Sequence, residues 1–448
     1  MLQSGNAGVL CNRTRKKESA PPNRKPHMYR GRSLAHRLQR LEPTSNRRPG
    51  RNNAMTLSRR DFLRISADYG TKAAIFAAVA GTTSATLISQ FAAKDAQAAK
   101  KAKYTIRHGV SVVNPKNEEF LQTRAYDFAK WIEEGSDGEI AVQTLDSGQA
   151  CAENQCVERV GAGVLDMGNS SAQNAAAVTY HAQALDWPFL WRDPQSLLNL
   201  LHDPAMNPVY RDVFRNKYGI EFLYCTNELR DIFMGLKYSD LPEVRHPDGL
   251  KGRKLRITNS TMIQNFAESL GMSPVPLAWT ETLEGMKSGV VDGMETWGGA
   301  AASFGMTKVT AQVLELDFCP GTGSCFMNLR AMERMPGRLQ DVVREAARRA
   351  SEESYNNLLV ALNTVTGAGP NPTPESNYVQ LKDTMRHVRL TEDEMEAFRE
   401  RGSVERNGEI YSGIRKELDD LAGLDVFGAI AEFEEKVRGQ PLNAQKWW

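Results

Sequence analysis

"GLKGRKLRITNSTMIQNFAESLGMSPVPLAWTETLEGMKSGVVDGMETW", residues 249 to 297, reads as a short strand, a capped helix, and a second helix that stops at a glycine before another strand. In "KLRITNS", Leu255 and Ile257 alternate with Lys254, Arg256 and Thr258, the two-residue period of a strand. Asn259, Ser260 or Thr261 can cap the next helix, in which Met262, Ile263, Phe266 and Leu270 recur at helical spacing before Gly271. Alternation of strand and helix is the signature of an α/β fold. Arg256 then leaves a strand end beside a helix N-terminus, where backbone N–H groups and the helix dipole favour an anion. A guanidinium in that place can hold a carboxylate through two parallel hydrogen bonds. Pairing with an Asp or Glu of the protein itself is the alternative.

On the N-terminal side the same alternation appears. "YTIRHGV" from Tyr104 is a strand, and Phe120, Leu121, Ala125, Phe128, Ala129 and Ile132 give a helix that Gly135 ends, before the strand "EIAVQTL". This β-α-β opening predicts parallel strands with a right-handed crossover. "VERVGAGVLDMGNSS" (157 to 171) can be laid on "LEGMKSGVVDGMETW" (283 to 297), matching Glu158 with Glu284, Gly163 with Gly289, Val164 with Val290 and Asp166 with Asp292. In each, a helix stops at glycine, a two-residue apolar strand follows, and a polar cluster is expected at the strand's C-terminal end, where α/β sheets bind ligands. One such element in each half places two polar clusters across a cleft, although helix–glycine–strand junctions also recur by chance.

Toward the C-terminus, residues 337 to 365 read as one long amphipathic helix with Leu339, Val342, Val343, Ala346, Ala350, Tyr355, Leu358 and Leu359 on its buried side. "LTEDEMEAFRERGSVERNGEIYSGIRKELDDL" continues in helical pattern with mixed charges, the mark of a solvated face.

The 448 residues carry a formal net charge of +2, and this near-neutral value averages two opposed parts. Residues 1 to 54 hold 13 Lys/Arg against 2 Asp/Glu with no hydrophobic periodicity, so no core is expected there. At Met55 begins "MTLSRRDFLRISADYG", with Arg59 and Arg60 ahead of a weakly apolar run from Ala73 to Ala93 and "AQA" at 96 to 98: a twin-arginine export signal with a cleavage site. A membrane anchor over 73 to 93 is the alternative for that run. Met55 is the expected start, with 1 to 54 an upstream extension. The rest holds 38 Lys/Arg and 49 Asp/Glu, a net charge of −11, which argues against nucleic acid or anionic lipid as the main partner. Its length exceeds one comfortable core, so two lobes are expected.

Cys151 with Cys156 and Cys319 with Cys325 are spaced to close small loops in an oxidising compartment, and isolated buried thiols fit equally. The chain has no serine-nucleophile elbow, zinc-protease motif, phosphate-binding P-loop or dinucleotide fingerprint, and its histidines are scattered. No catalytic residue, metal or cofactor is assigned. Asp292 with Glu295 as an acid/base pair is the enzyme reading, and it needs perturbed pKa values that a sequence does not show.

The stretch 249 to 297, with "LDWPFLWRDPQS" upstream, resembles the solute-binding proteins of tripartite ATP-independent periplasmic (TRAP) transporters, the DctP-type family. The resemblance implies a two-lobed periplasmic-binding-protein fold with a hinge and a long helix spanning both lobes. It also implies a periplasmic receptor that binds an organic acid and delivers it to membrane subunits. A receptor that serves a sensor instead is the alternative. Arg256 falls on the family's main carboxylate-binding arginine, Arg230 on a second arginine, and Trp279 on an aromatic that packs on the ligand. "DGMETW" stands where relatives read "DGQENP", so Thr296 replaces an asparagine and Trp297, in place of proline, either walls the pocket or fills the core. Glu295, Asn259, Asn169, Ser170 and Ser171 are further candidate ligand contacts. The lobes are expected at 99–227 with 322–360 and at 228–321 with 361–448.

Overall fold

The computed structural model describes residues 102–111 and 125–448. The basic leader (1–54), the export signal (55–98) and the helix positions Phe120 and Leu121 lie outside the described residues.

The strands are β1 (Tyr104–Gly109), β2 (Ile140–Leu145), β3 (Met167–Ser171), β4 (Ile220–Gly235), β5 (Lys254–Ile257), β6 (Ser273–Pro276), β7 (Gly293–Trp297), β8 (Thr310–Glu315), β9 (Pro320–Asn328) and β10 (Arg386–Arg389). They run in the order β2-β1-β3-β9-β4-β7-β5-β6, with β8 also on β4 and β10 beyond β8. β1 and β2 are parallel, as the β-α-β opening predicts. β4 is shared by the two lobes. From Ile220 to Leu229 it pairs with β9, and from Arg230 onward with β7 and β8, antiparallel throughout. At the change of partner Arg230 N–H donates to Cys319 O (2.8 Å) and Phe318 N–H donates to Arg230 O (3.0 Å).

Alternation along these strands gives each lobe two cores, one on either face of its sheet. In the first lobe Phe222 and Phe326 enter one core while Leu223 and Met327 enter the other. In the second, Ile232 and Met234 are separated from Phe233 in the same way.

The helices that matter here are α1 (Ala125–Gly135), α2 (Glu153–Gly161), α3 (Thr261–Ser269), α4 (Trp279–Ser288), α5 (Gly298–Ser303), α6 (Gly337–Ala361), α7 (Glu392–Gly402), α8 (Gly408–Ala422) and α9 (Val426–Val437). α6 packs along β4 and α1, and a π-helical turn (Leu362–Thr366) carries its end to α5 in the second lobe. Of its expected buried positions Leu359 is 48% exposed. Ala347, Ser351 and Ser354 are buried instead, because the buried stripe follows the sheet rather than the largest side chains. No helix among the described residues is long and apolar enough to cross a membrane.

The sequence is corrected at two places. Residues 361–448 were expected in the second lobe, and only their first part lies there: β10 pairs with β8, and Phe398 of α7 joins the second-lobe core. Tyr411, Ile414 and Leu418 of α8, and Val426, Ile430 and Phe433 of α9, bury themselves on the first lobe, so α8 and α9 are not merely solvated. α8 also reaches back, its Ile410 carbonyl accepting from Asn265 Nδ2 of α3 at 2.9 Å. The second correction concerns the internal repeat. The apolar pairs at 164–165 and 290–291 precede the strands, and the polar residues expected beyond the strand ends form β3 and β7 themselves. The repeat is otherwise matched in detail. Gly163 and Gly289 both take φ near +75° (73° and 76°), a left-handed stop that favours glycine. Asp166 Oδ2 accepts from Arg107 N at 2.9 Å on β1, and Asp292 Oδ2 accepts from Lys254 N at 2.9 Å on β5. Asp292 thus anchors a strand, with Lys237 as its ion partner.

Candidate functional site

Arg256 stands on β5 and is 2% exposed, so its place on the polar alternate of that strand brings it into a cleft rather than into solvent. Its Nε donates to Leu277 O at 2.9 Å, and one terminal nitrogen lies 3.6 Å from Glu295 Oε1. Neither terminal nitrogen makes a hydrogen bond among the described residues. Ser260 caps α3, accepting from Ile263 N at 3.4 Å.

Glu295 of β7 is fully buried between two arginines. Oε1 accepts from Thr258 N at 2.9 Å, and Oε2 receives a terminal nitrogen of Arg230, which itself is 1% exposed. Arg230 also donates to Gln173 Oε1 at 3.0 Å, a bond from the strand that links the lobes to the first lobe. Burial is the largest single influence and works against the charged form of Arg230, yet Glu295, Cys319 and Asp186 together outweigh it and the pKa shifts upward. For Arg256 the balance is opposite: burial, aided by Arg230, outweighs Glu295 and the pKa moves down. The guanidinium stays charged at neutral pH.

A narrow space opens against this triad, lined by Arg230, Arg256, Thr258, Trp279, Thr296, Trp297, Ala300 and Phe304 from one side and by Glu153, Ser171 and Asn174 from the first lobe. A larger, open cleft adjoins it through Glu153, Asn174 and Trp279, and Asn259 lines that part. Trp279 meets Phe304 edge-on at 5.6 Å with Arg256 5.5 Å from its ring centre. Trp297 is buried with Arg230 4.9 Å from its ring centre, so it both walls the space and fills the core.

Arg256, Arg230, Trp279, Trp297, Thr296, Glu295 and Asn259 are therefore gathered at one cleft, Glu295 behind its arginines. Asn169 and Ser170 line neither space. Asn169 Oδ1 meets Nε2 of His108, a buried histidine whose pKa burial pulls down to about 4, and Ser170 Oγ donates to Glu153 O at 2.9 Å. Both side chains are buried inside the first lobe, where Asn169 Nδ2 has no hydrogen-bond partner among the described residues. Ser171, named with them, does line the space, and the sequence missed Glu153 and Asn174. The internal repeat could have found them, because extending its register from 157-on-283 sets Glu153 on Trp279, Ser171 on Trp297 and Asn174 on Ala300, and all six line the space. Cys151 and Cys156 are joined as a disulfide that brackets Glu153, whereas Cys225, Cys319 and Cys325 are free and buried. No group of three or more His, Cys, Asp or Glu among the described residues is arranged to hold a metal ion.

Beside the cleft the lobes also touch directly. Met262 N–H donates to Gln183 Oε1 (3.1 Å), and Ser260 Oγ donates to Asp186 Oδ2 (3.3 Å).

The family model of the bacterial extracellular solute-binding protein, family 7 (DctP), matches residues 71–401. A solute-binding protein of Chromohalobacter salexigens is 23% identical over 227 residues, which are 50% of this chain and 66% of that protein. The ectoine-binding periplasmic protein TeaA of Halomonas elongata is 22% identical over 279 residues, 62% of this chain and 77% of its own length. Among solved structures, a TRAP periplasmic solute-binding protein of Haemophilus influenzae with bound L-gulonate superposes with a TM-score of 0.60 at 19% identity, covering 74% of this chain and 99% of that one. That likeness establishes the two-lobed fold.

Proposed function

Because the chain belongs to the bacterial extracellular solute-binding proteins of family 7, we propose that it is the receptor of a tripartite ATP-independent periplasmic transporter, binding a small organic acid between its lobes and presenting the closed form to membrane subunits. This is a family of binding proteins rather than enzymes. The observation that carries the reading is Arg256: a buried guanidinium facing the cleft with both terminal nitrogens free of hydrogen bonds among the described residues. A ligand carboxylate supplies the missing acceptors, and lobe closure removes water and strengthens the pair. Arg230 is committed to Glu295 and Gln173, so its part is to hold the triad and couple it to the first lobe. The relatives support an acid as ligand, since L-gulonate, succinate and 2,3-diketo-L-gulonate are named for them. Residues 55–98 direct export by the twin-arginine route in this reading, with the periplasm as destination.

Calorimetry with a panel of organic acids tests it. Arg256→Ala is expected to weaken the best acid about 100-fold or more, in line with roughly 2–5 kcal/mol for truncating one partner of a buried charge pair. Arg256→Lys should recover only part of this, since a single ammonium cannot form the paired bonds. Unchanged affinity in both variants refutes the assignment. Export is tested separately: replacing Arg59 and Arg60 by lysine should leave the chain in the cytoplasmic fraction.

A further inference from the structure

Glu153 begins α2 two residues after the bridged Cys151 and faces the same space as Arg256 from the opposite lobe. Its Oε1 is fixed by Ser171 N at 3.0 Å. The other oxygen makes no hydrogen bond, and the carboxylate forms no ion pair, among the described residues. It lies near enough for its charge to act on the Arg256 guanidinium. Glu295 and Arg230 pair with each other deeper in the wall. In the second-lobe wall Arg230 and Arg256 share Glu295, Arg256 at 3.6 Å and without a hydrogen bond to it, while Glu153 on the first lobe has no ion pair among the described residues.

Resting on the acid-binding reading above, we infer that the ligand is a zwitterion: its carboxylate meets Arg256, and a positively charged nitrogen group meets Glu153. The argument is one of charge balance on closure. A plain monocarboxylate gives Arg256 its acceptors but adds a negative charge to the cleft and leaves Glu153 unpaired as water is removed, and an uncompensated charge in such a place is costly. A dicarboxylate sets its second negative charge in the same cleft as Glu153. A hydroxyl can donate to Glu153 but carries no charge to offset it. A protonated amine, amidine or guanidine does both, and Trp279, Trp297 and Phe304 provide the apolar wall for the carbons between the two ends.

The test uses the full chain and a series matched in length: 4-aminobutanoate and 4-guanidinobutanoate, with 4-hydroxybutanoate, butanoate and succinate as counterparts, joined by proline and glycine betaine as compact zwitterions. Affinities are measured for the parent, Glu153→Gln, Glu153→Asp and Arg256→Lys, each checked by thermal unfolding. The expected result is that a nitrogen-bearing acid binds at least 10-fold more tightly than its monoanionic and dianionic counterparts. Glu153→Gln should remove that preference, and Glu153→Asp should restore part of it. The inference is overturned if succinate or 4-hydroxybutanoate binds more tightly, if no nitrogen-bearing acid binds, or if Glu153→Gln leaves the ranking unchanged. When acids bind in a manner that depends on Arg256 and not on Glu153, the receptor reading stands while this inference falls. Binding indifferent to Arg256 removes both.

Discussion

Gly321 sets how close the tryptophan of the cleft wall can come to the strands that link the lobes. A Cβ built there would lie 2.4 Å from Trp297 Cε3 and 2.9 Å from the Glu228 carbonyl oxygen, and neither the ring nor the backbone can step aside cheaply. Gly321→Ala should therefore displace Trp297, cost about 1–3 kcal/mol as overpacking does, and weaken ligand binding together with the melting temperature. A variant that melts like the parent would show that the ring has room to move. Asp186 poses a different question at the same scale. Burial holds its carboxyl up at about 8, against the pull of Arg230, Gln173 and Ser260. An unfolded aspartate titrates near about 3.9. Between those values the folded chain keeps a proton that the unfolded chain has released, so stability erodes as pH rises from about 4 to about 8. Asp186→Asn removes the group, and its urea midpoints at about pH 5 and pH 8 should differ less than those of the parent. An equal decline in both proteins would assign the pH dependence elsewhere.

The disulfide and the repeat belong to the scale of elements. Cys151 and Cys156 are five positions apart, so their bridge closes a small loop, worth about 2 kcal/mol by chain entropy. It also seats the first turn of α2, where Glu153 stands. Replacing both cysteines by serine should lower stability by about that amount and reduce affinity for the ligand, whereas lost stability at constant affinity would make the bridge purely structural. What the sequence revealed at this scale follows from period. Leu255 and Ile257 announced β5, Met262 and Phe266 announced α3, and glycines at 163 and 289 marked the stops of α2 and α4, because each rests on local backbone geometry. Ser170 was misplaced for the reason that makes strands hard to read, while Asn169, on the same face as Ser171, lies farther back along the strand against His108. Neighbouring residues on a strand face opposite ways, so the right strand can still yield the wrong residue: Ser171 reaches the cleft and Ser170 does not. Glu153 was missed because the repeat was read only from residue 157 onward, four positions past it.

At the scale of the whole molecule, the chain crosses between lobes along β4, back along β9 and again at the end of α6, then returns to the first lobe with α8 and α9. The mixed charges of α8 concealed that return, since the three buried positions Tyr411, Ile414 and Leu418 are spread over two turns among charged residues. Trp447 completes it. Its ring is 1% exposed, 3.9 Å from the Arg211 guanidinium carbon, and its carbonyl accepts from Asn207 Nδ2 at 2.6 Å. Trp447→Ala should cost about 3–5 kcal/mol while leaving the dissociation constant of the ligand within about two-fold, since Trp447 lines neither part of the cleft; a large loss of affinity would mean that this anchor governs closure as well. The same contact orders events during translation. The ribosome has emitted the entire second lobe before residue 447 emerges, yet Trp447 belongs to the core that begins at Ile106 and Phe128. The lobe that is begun first is thus sealed last. The newborn chain carries that uncovered apolar seam for the whole of its synthesis, and the time available to chaperones and proteases is set by elongation rather than by the speed of folding.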